Sequence, residues 1–80
     1  MKSVRVRYYA MLREQAGCEE EAVATSAATA AALFDELRRR HGFTLSTGQL
    51  RVAVNGEFSR WGAPLAADAL VVFIPPFAGG

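Results

Sequence analysis

The 80-residue sequence predicts one α+β domain, a mixed sheet of about five strands with one main helix packed on one face. Three observations carry this. Residues 4–9 alternate with period two, as a half-buried strand does. Residues 30–41 are helix formers throughout, with Leu33, Phe34 and Leu37 on one face. Leu70-Val71-Val72-Phe73-Ile74 is a continuous apolar run of strand length, the pattern of a central strand buried on both faces.

The elements follow in chain order. Val4, Val6 and Tyr8 alternate with Arg5, Arg7 and Tyr9, and β-branched and aromatic side chains favour the extended chain. Residues 11–16 predict a short turn of helix closed by Gly17, and residues 21–25 a second strand antiparallel to the first. Thr29 offers an N-cap to the main helix, and Gly42 stands where helices stop in the left-handed conformation. Arg38-Arg39-Arg40 and His41 occupy the last turn, where positive charge complements the helix dipole, and Glu19-Glu20-Glu21 balances them. Residues 50–54 predict a strand, Asn55-Gly56 a hairpin turn, residues 57–59 the return and residues 61–65 a loop. Pro75-Pro76 ends the apolar run, because proline has no ladder donor and a fixed φ. The last strand is expected beside the first and parallel to it, with residues 75–80 leaving the domain as an extended tail.

Composition narrows the function. A net charge of +1 gives no bias towards nucleic acid or a membrane surface. No apolar run approaches the ~20 residues that span a bilayer, and residues 1–5 lack a signal-peptide core, so a cytoplasmic protein is expected. One cysteine, Cys18, forms no disulfide within the chain and has no evident activating neighbour. One His and one Cys make a zinc site untenable, and His41 reads as a group capping the helix end. No phosphate-binding glycine loop and no glycine-flanked nucleophilic serine is present. Asp68 and Glu57 read as loop and hairpin residues. No catalytic set emerges from the body of the domain.

The end of the sequence is different: Pro75-Pro76-Phe77-Ala78-Gly79-Gly80. With glycine near 7% of residues, a chance Gly-Gly pair there arises about once in 200 chains. A carboxylate carried on two residues without side chains can enter a narrow active site, and Gly79 lets the backbone pass where a Cβ would clash. The two prolines lower the conformational freedom lost on insertion. Fully extended, residues 75–80 reach about 20 Å.

These residues together resemble the small sulfur-carrying subunit of molybdopterin synthase, the MoaD-like branch of the ubiquitin-like β-grasp proteins. The resemblance rests on Val6-Arg7-Tyr8-Tyr9-Ala10-Met11-Leu12-Arg13-Glu14 with Gly17, on Thr29, on Val52-Ala53-Val54-Asn55, on Pro64-Leu65 and above all on Phe73-Ile74-Pro75-Pro76-Phe77-Ala78-Gly79-Gly80. One departure stands in the turn before the last strand. Ala67-Asp68-Ala69 replaces a common Gly-Asp-Glu, and a changed turn is expected because alanine resists positive φ.

The resemblance implies a mechanism. An E1-like adenylyltransferase consumes ATP to adenylate the Gly80 carboxylate. A sulfur donor displaces AMP and leaves a thiocarboxylate on Gly80, and no cofactor is bound. The tail then enters the large catalytic subunit of molybdopterin synthase, in a heterotetramer, and gives its sulfur to a cyclic pterin precursor. Tyr9, Phe58, Ile74 and Phe77, with Arg13 as the charged member, are the expected partner-binding residues. Phe58, beyond the hairpin turn, is expected exposed, whereas Tyr9 and Ile74 are equally compatible with the core. The same ending also suits a sulfur carrier for thiamine or cysteine synthesis, a modifier conjugated to protein lysines, or a binding module in which Gly-Gly is incidental. The Pro-Pro pair tilts the expectation towards molybdopterin.

Overall fold

The computed structural model describes residues 1–76. The elements are β1 (Lys2–Tyr8), α1 (Ala10–Ala16), β2 (Glu20–Thr25), α2 (Ala30–His41), a short 3-10 turn (Thr47–Gln49), β3 (Arg51–Val54), β4 (Glu57–Ser59) and β5 (Leu70–Ile74). The strands form one five-stranded sheet in the order β2-β1-β5-β3-β4. The expected parallel pairing of first and last strands is present, in register from Arg5 opposite Leu70 to Tyr8 opposite Phe73. Every other pairing is antiparallel.

The core lies between the sheet and the helices. Val4, Val6 and Tyr8 of β1, Val23 of β2, Val52 of β3 and Val71 and Phe73 of β5 pack with Leu33, Phe34 and Leu37 of α2 and Leu12 of α1. The Phe34 ring meets Phe73 edge-on at 5.0 Å, and Trp61 stacks on Phe73 at 5.9 Å. Trp61 thus pins its loop to the core, and two backbone bonds fasten the same loop to the start of α2, Ala31 N–H to Trp61 O and Leu65 N–H to Ala28 O.

Local signals set the element ends. Thr29 Oγ1 accepts from Ala32 N–H at 3.1 Å, the expected N-cap bond. Gly42 closes α2 at φ 74°. In the β3–β4 turn Asn55 takes φ 52°, and it is clasped to β5 twice: its N–H donates to Leu70 O at 2.8 Å and its Oδ1 accepts from Leu70 N–H at 2.9 Å.

One expectation needs correction. β5 is central, but it is not buried on both faces. Val71 and Phe73 are buried, whereas Leu70, Val72 and Ile74 between them are half-buried. Among the described residues the helices cover one face only, and the other face of β5 is shielded by side chains of neighbouring strands. In the turn before β5 neither alanine takes a positive φ, in keeping with alanine's resistance to it. The left-handed residue of that turn is Asp68 (φ 63°), which tolerates that conformation. Asp68 N–H donates to Ser3 O at 2.7 Å, which ties the turn to β1.

Candidate functional site

Strand alternation sends the residues between the core positions to the uncovered face. Register then aligns them in a row across all five strands: Glu20 opposite Arg7, Arg7 opposite Val72, Val72 opposite Ala53, and Ala53 opposite Phe58. One step along, Arg51 pairs with Ile74. The face is therefore an apolar strip of Val72, Ile74, Ala53 and Phe58 flanked by arginines. Phe58 is 68% exposed, a large aromatic side chain standing in water, with the Arg51 guanidinium over its ring at 5.7 Å.

Charge at the other side of the strip is held in place. Glu20 accepts from Arg5 at 2.7 Å and from Arg7 at 3.2 Å. The Arg5 hydrogen bond chiefly holds the Glu20 carboxyl below the usual carboxylate range. Arg7 is pushed up by hydrogen bonding to Tyr9 and then to Glu20. The acidic run thus divides its partners. Glu20 serves the arginines of β1, while Glu21 lies 3.9 Å from Arg40.

A groove of about 510 Å³ opens where β5 ends, lined by Gly48, Gln49, Leu50, Arg51, Phe58, Ile74, Pro75 and Pro76. Pro75 is buried and Pro76 exposed. The groove is continuous with the apolar strip through Phe58, Arg51 and Ile74. Tyr9 (40% exposed) follows Tyr8, which pairs with Phe73, so Tyr9 and Ile74 emerge at the same end of the sheet. Arg13 is exposed on α1, which begins at that end. The structure thus brings Phe58, Ile74, Pro75 and Pro76 together, sets Tyr9 and Arg13 at the same end, and adds Arg7, Arg51 and Val72, which the sequence did not single out. For Arg7 and Arg51 the signal was period-two alternation, which names a face without saying that it is open, and Val72 was hidden in a continuous apolar run. Phe77, Ala78, Gly79 and Gly80 lie outside the described residues.

A second polar cluster lies under the helices and is structural. Tyr8 Oη–H donates to Glu21 Oε2 at 2.5 Å, and His41 Nε2 meets the same oxygen at 2.7 Å. Tyr8 also packs edge-on against Phe43 and His41. Burial first, and then the bond to Glu21, push the Tyr8 hydroxyl far above its ordinary value. Burial and Glu21 also push the Cys18 thiol up, which keeps it protonated and a poor nucleophile. His41 joins β1, β2 and α2 in addition to sitting at a helix end. Among the described residues no group of three or more His, Cys, Asp and Glu is placed to hold a metal ion, and no helix is long and apolar enough to cross a membrane.

The ThiS family model matches residues 6–80. The crystal structure of SAMP1 from Haloferax volcanii is similar at 27% identity with a TM-score of 0.81, over 98% of this chain and 99% of that one. A candidate molybdopterin converting factor, subunit 1, from Pyrococcus furiosus is similar at 26% identity and a TM-score of 0.78, over 96% of this chain and 100% of that one. A chain in the complex of subunits 1 and 2 of the molybdopterin-converting factor from Helicobacter pylori shares the fold, at 22% identity and a TM-score of 0.67, over 98% of this chain and 99% of that one. The curated proteins give no match. The chain belongs to the ThiS family, as a small ubiquitin-like β-grasp protein related both to archaeal SAMP1 modifiers and to MoaD- and ThiS-type sulfur carriers.

Proposed function

We propose that this chain is a carrier whose Gly80 carboxylate is activated by an ATP-consuming, E1-like adenylyltransferase and then passed to an acceptor outside the domain. The observation that carries this is the family match through residue 80, the Gly79-Gly80 ending included. A carboxylate is a poor electrophile, and adenylation gives it AMP as a leaving group. The domain supplies a handle. Its apolar strip around Phe58 and Ile74, rimmed by Arg7 and Arg51, suits a partner face of apolar residues edged with carboxylates. Tyr9, Arg13 and Phe77 complete the contact, while Pro75, Pro76, Ala78 and Gly79 form the stalk that carries Gly80 into the partner.

The acceptor is first a protein amine. The similarity to the Haloferax modifier, at 27% identity over nearly the whole chain, supports conjugation through an isopeptide bond. A second reading draws on the Pyrococcus and Helicobacter proteins. In it a sulfur donor converts Gly80 to a thiocarboxylate, and the large catalytic subunit of molybdopterin synthase takes that sulfur for a cyclic pterin.

Intact mass spectrometry after incubation with ATP, an activating enzyme and a sulfur donor separates the two. A mass gain of sulfur replacing oxygen, localised to Gly80, is the thiocarboxylate; higher-mass conjugates with Gly80 joined to lysine are the modifier. Gly79→Val is expected to abolish both products while the circular dichroism spectrum stays that of the folded domain. Normal yields from a chain lacking Gly79 and Gly80 overturn the proposal.

A further inference from the structure

Asn55 is the only asparagine in the sequence, and Gly56 follows it. Asparagine is a chemically labile residue. The main-chain nitrogen that follows it can attack its side-chain amide carbon, and a following glycine puts no Cβ in the way. Both residues are exposed, and among the described residues nothing lies within 4 Å of where a Cβ would stand on Gly56. Neither burial nor crowding therefore keeps water from this pair.

The turn and its tie to β5 restrain it instead. Asn55 (φ 52°) and Gly56 (φ 86°) have the positive φ values of a type I′ hairpin turn. A left-handed residue has ψ of about +47°, which holds the next nitrogen on the far side of Cα from its own Cβ. The ring can close only after Asn55 swings out of that conformation. Two bonds to Leu70 resist the swing: Oδ1 accepts from Leu70 N–H at 2.9 Å, and Asn55 N–H donates to Leu70 O at 2.8 Å. Leu70 is half-buried at the very start of β5. Two hydrogen bonds at an exposed strand end open by local fluctuation, without unfolding of the core.

We propose that Asn55 is a latent modification site, converted to isoaspartate at a rate set by opening of the Leu70 clasp. The Gly56 nitrogen attacks Asn55 Cγ. An N–C bond forms, the Cγ–Nδ2 bond breaks, and ammonia leaves with the Gly56 proton. Water, the only co-reactant, then opens the five-membered imide at either carbonyl. One opening gives aspartate. The other gives isoaspartate, whose main chain runs through Cβ and Cγ and is one atom longer. The longer turn breaks the match of Val54 with Glu57 and of Ala53 with Phe58, so Phe58 loses its fixed place on the open face. The inference stands whether or not Gly80 is activated.

The test ages the full-length protein at mildly alkaline pH beside a synthetic peptide of residues 52–60, across a series of guanidinium chloride concentrations. Trypsin, cutting after Arg51 and Arg60, releases the same peptide from the protein, and chromatography separates its asparagine, aspartate and isoaspartate forms. In dilute buffer the folded protein is expected to form isoaspartate at least about tenfold more slowly than the peptide. The rate is expected to climb before the unfolding transition begins and to reach the peptide's rate beyond it. The purified isoaspartate form is expected to melt below both wild type and Asn55→Asp, which has the new charge without the longer chain. Three results overturn the proposal: folded protein and peptide reacting at the same rate, a rate that follows only the globally unfolded fraction, or an isoaspartate form that melts with Asn55→Asp.

Discussion

The covered and open faces of the sheet draw on similar side chains and put them to different use. β5 displays both. Val71 and Phe73 lie under α2, while Leu70, Val72 and Ile74 face the side that no helix covers. On the covered face apolar area is removed from water when the chain folds, so it contributes to stability. On the open face much of that area remains in contact with water, so folding gains less from it. The contrast teaches that the apolar content of a strand reports its place in the sheet, while the packing of other elements decides which half of it remains free.

The largest expected effect lies on the covered face. Phe73→Ala should cost about 3–5 kcal/mol in urea unfolding, since the Phe34, Tyr8 and Trp61 rings would face a cavity. That is a large share of the ~5–15 kcal/mol available to a domain, and a loss below about 1 kcal/mol would break the comparison. Asn55→Ala comes next, at about 2 kcal/mol, because alanine resists φ 52° and Leu70 N–H loses its acceptor. Asn55→Gly should restore the backbone term alone, giving an intermediate midpoint. Phe58→Ala should leave stability within about 1 kcal/mol, yet weaken partner binding by about 1–3 kcal/mol in calorimetry. Unchanged affinity would remove the open face as the docking surface.

Titration offers the finest comparison. Tyr8, on the covered side, ionises less readily in the folded protein, so its contribution is complete below its ordinary value of 10.0 and declines as pH rises above it. Glu20, on the open side, ionises more readily when folded, so its contribution is complete above 4.5 and declines as pH falls through its lowered folded value. Melting temperatures against pH should therefore lose part of their alkaline slope in Tyr8→Phe and a smaller part of their acid slope in Glu20→Gln. Unaltered slopes in both variants would show that neither group senses its face.

Much of the fold was legible because its signals are local. Thr29, Gly42 and Asn55-Gly56 act within a few residues, and Leu70–Ile74 announces a central strand by composition alone. The parallel pairing of β1 with β5 followed once that strand was recognised as central. What escaped reading depends on distant residues. The Tyr8–Glu21–His41 cluster joins three elements, and nothing near Trp61 in sequence says that its ring stacks on Phe73. The site was half legible. Phe58 could be placed beyond a hairpin turn, but Arg51 gains its meaning only from the register that sets it beside Ile74 and over Phe58.

The pairing of β5 with both β1 and β3 has a consequence for synthesis. The sheet cannot close until residues 70–74 have left the ribosome, because that strand joins the β1–β2 pair to the β3–β4 hairpin. Contacts so distant in sequence form late. A chain broken off before Leu70 therefore lacks the staple between its halves and has no finished domain. The architecture thus makes completion of the body wait on nearly the last stretch of the described sequence.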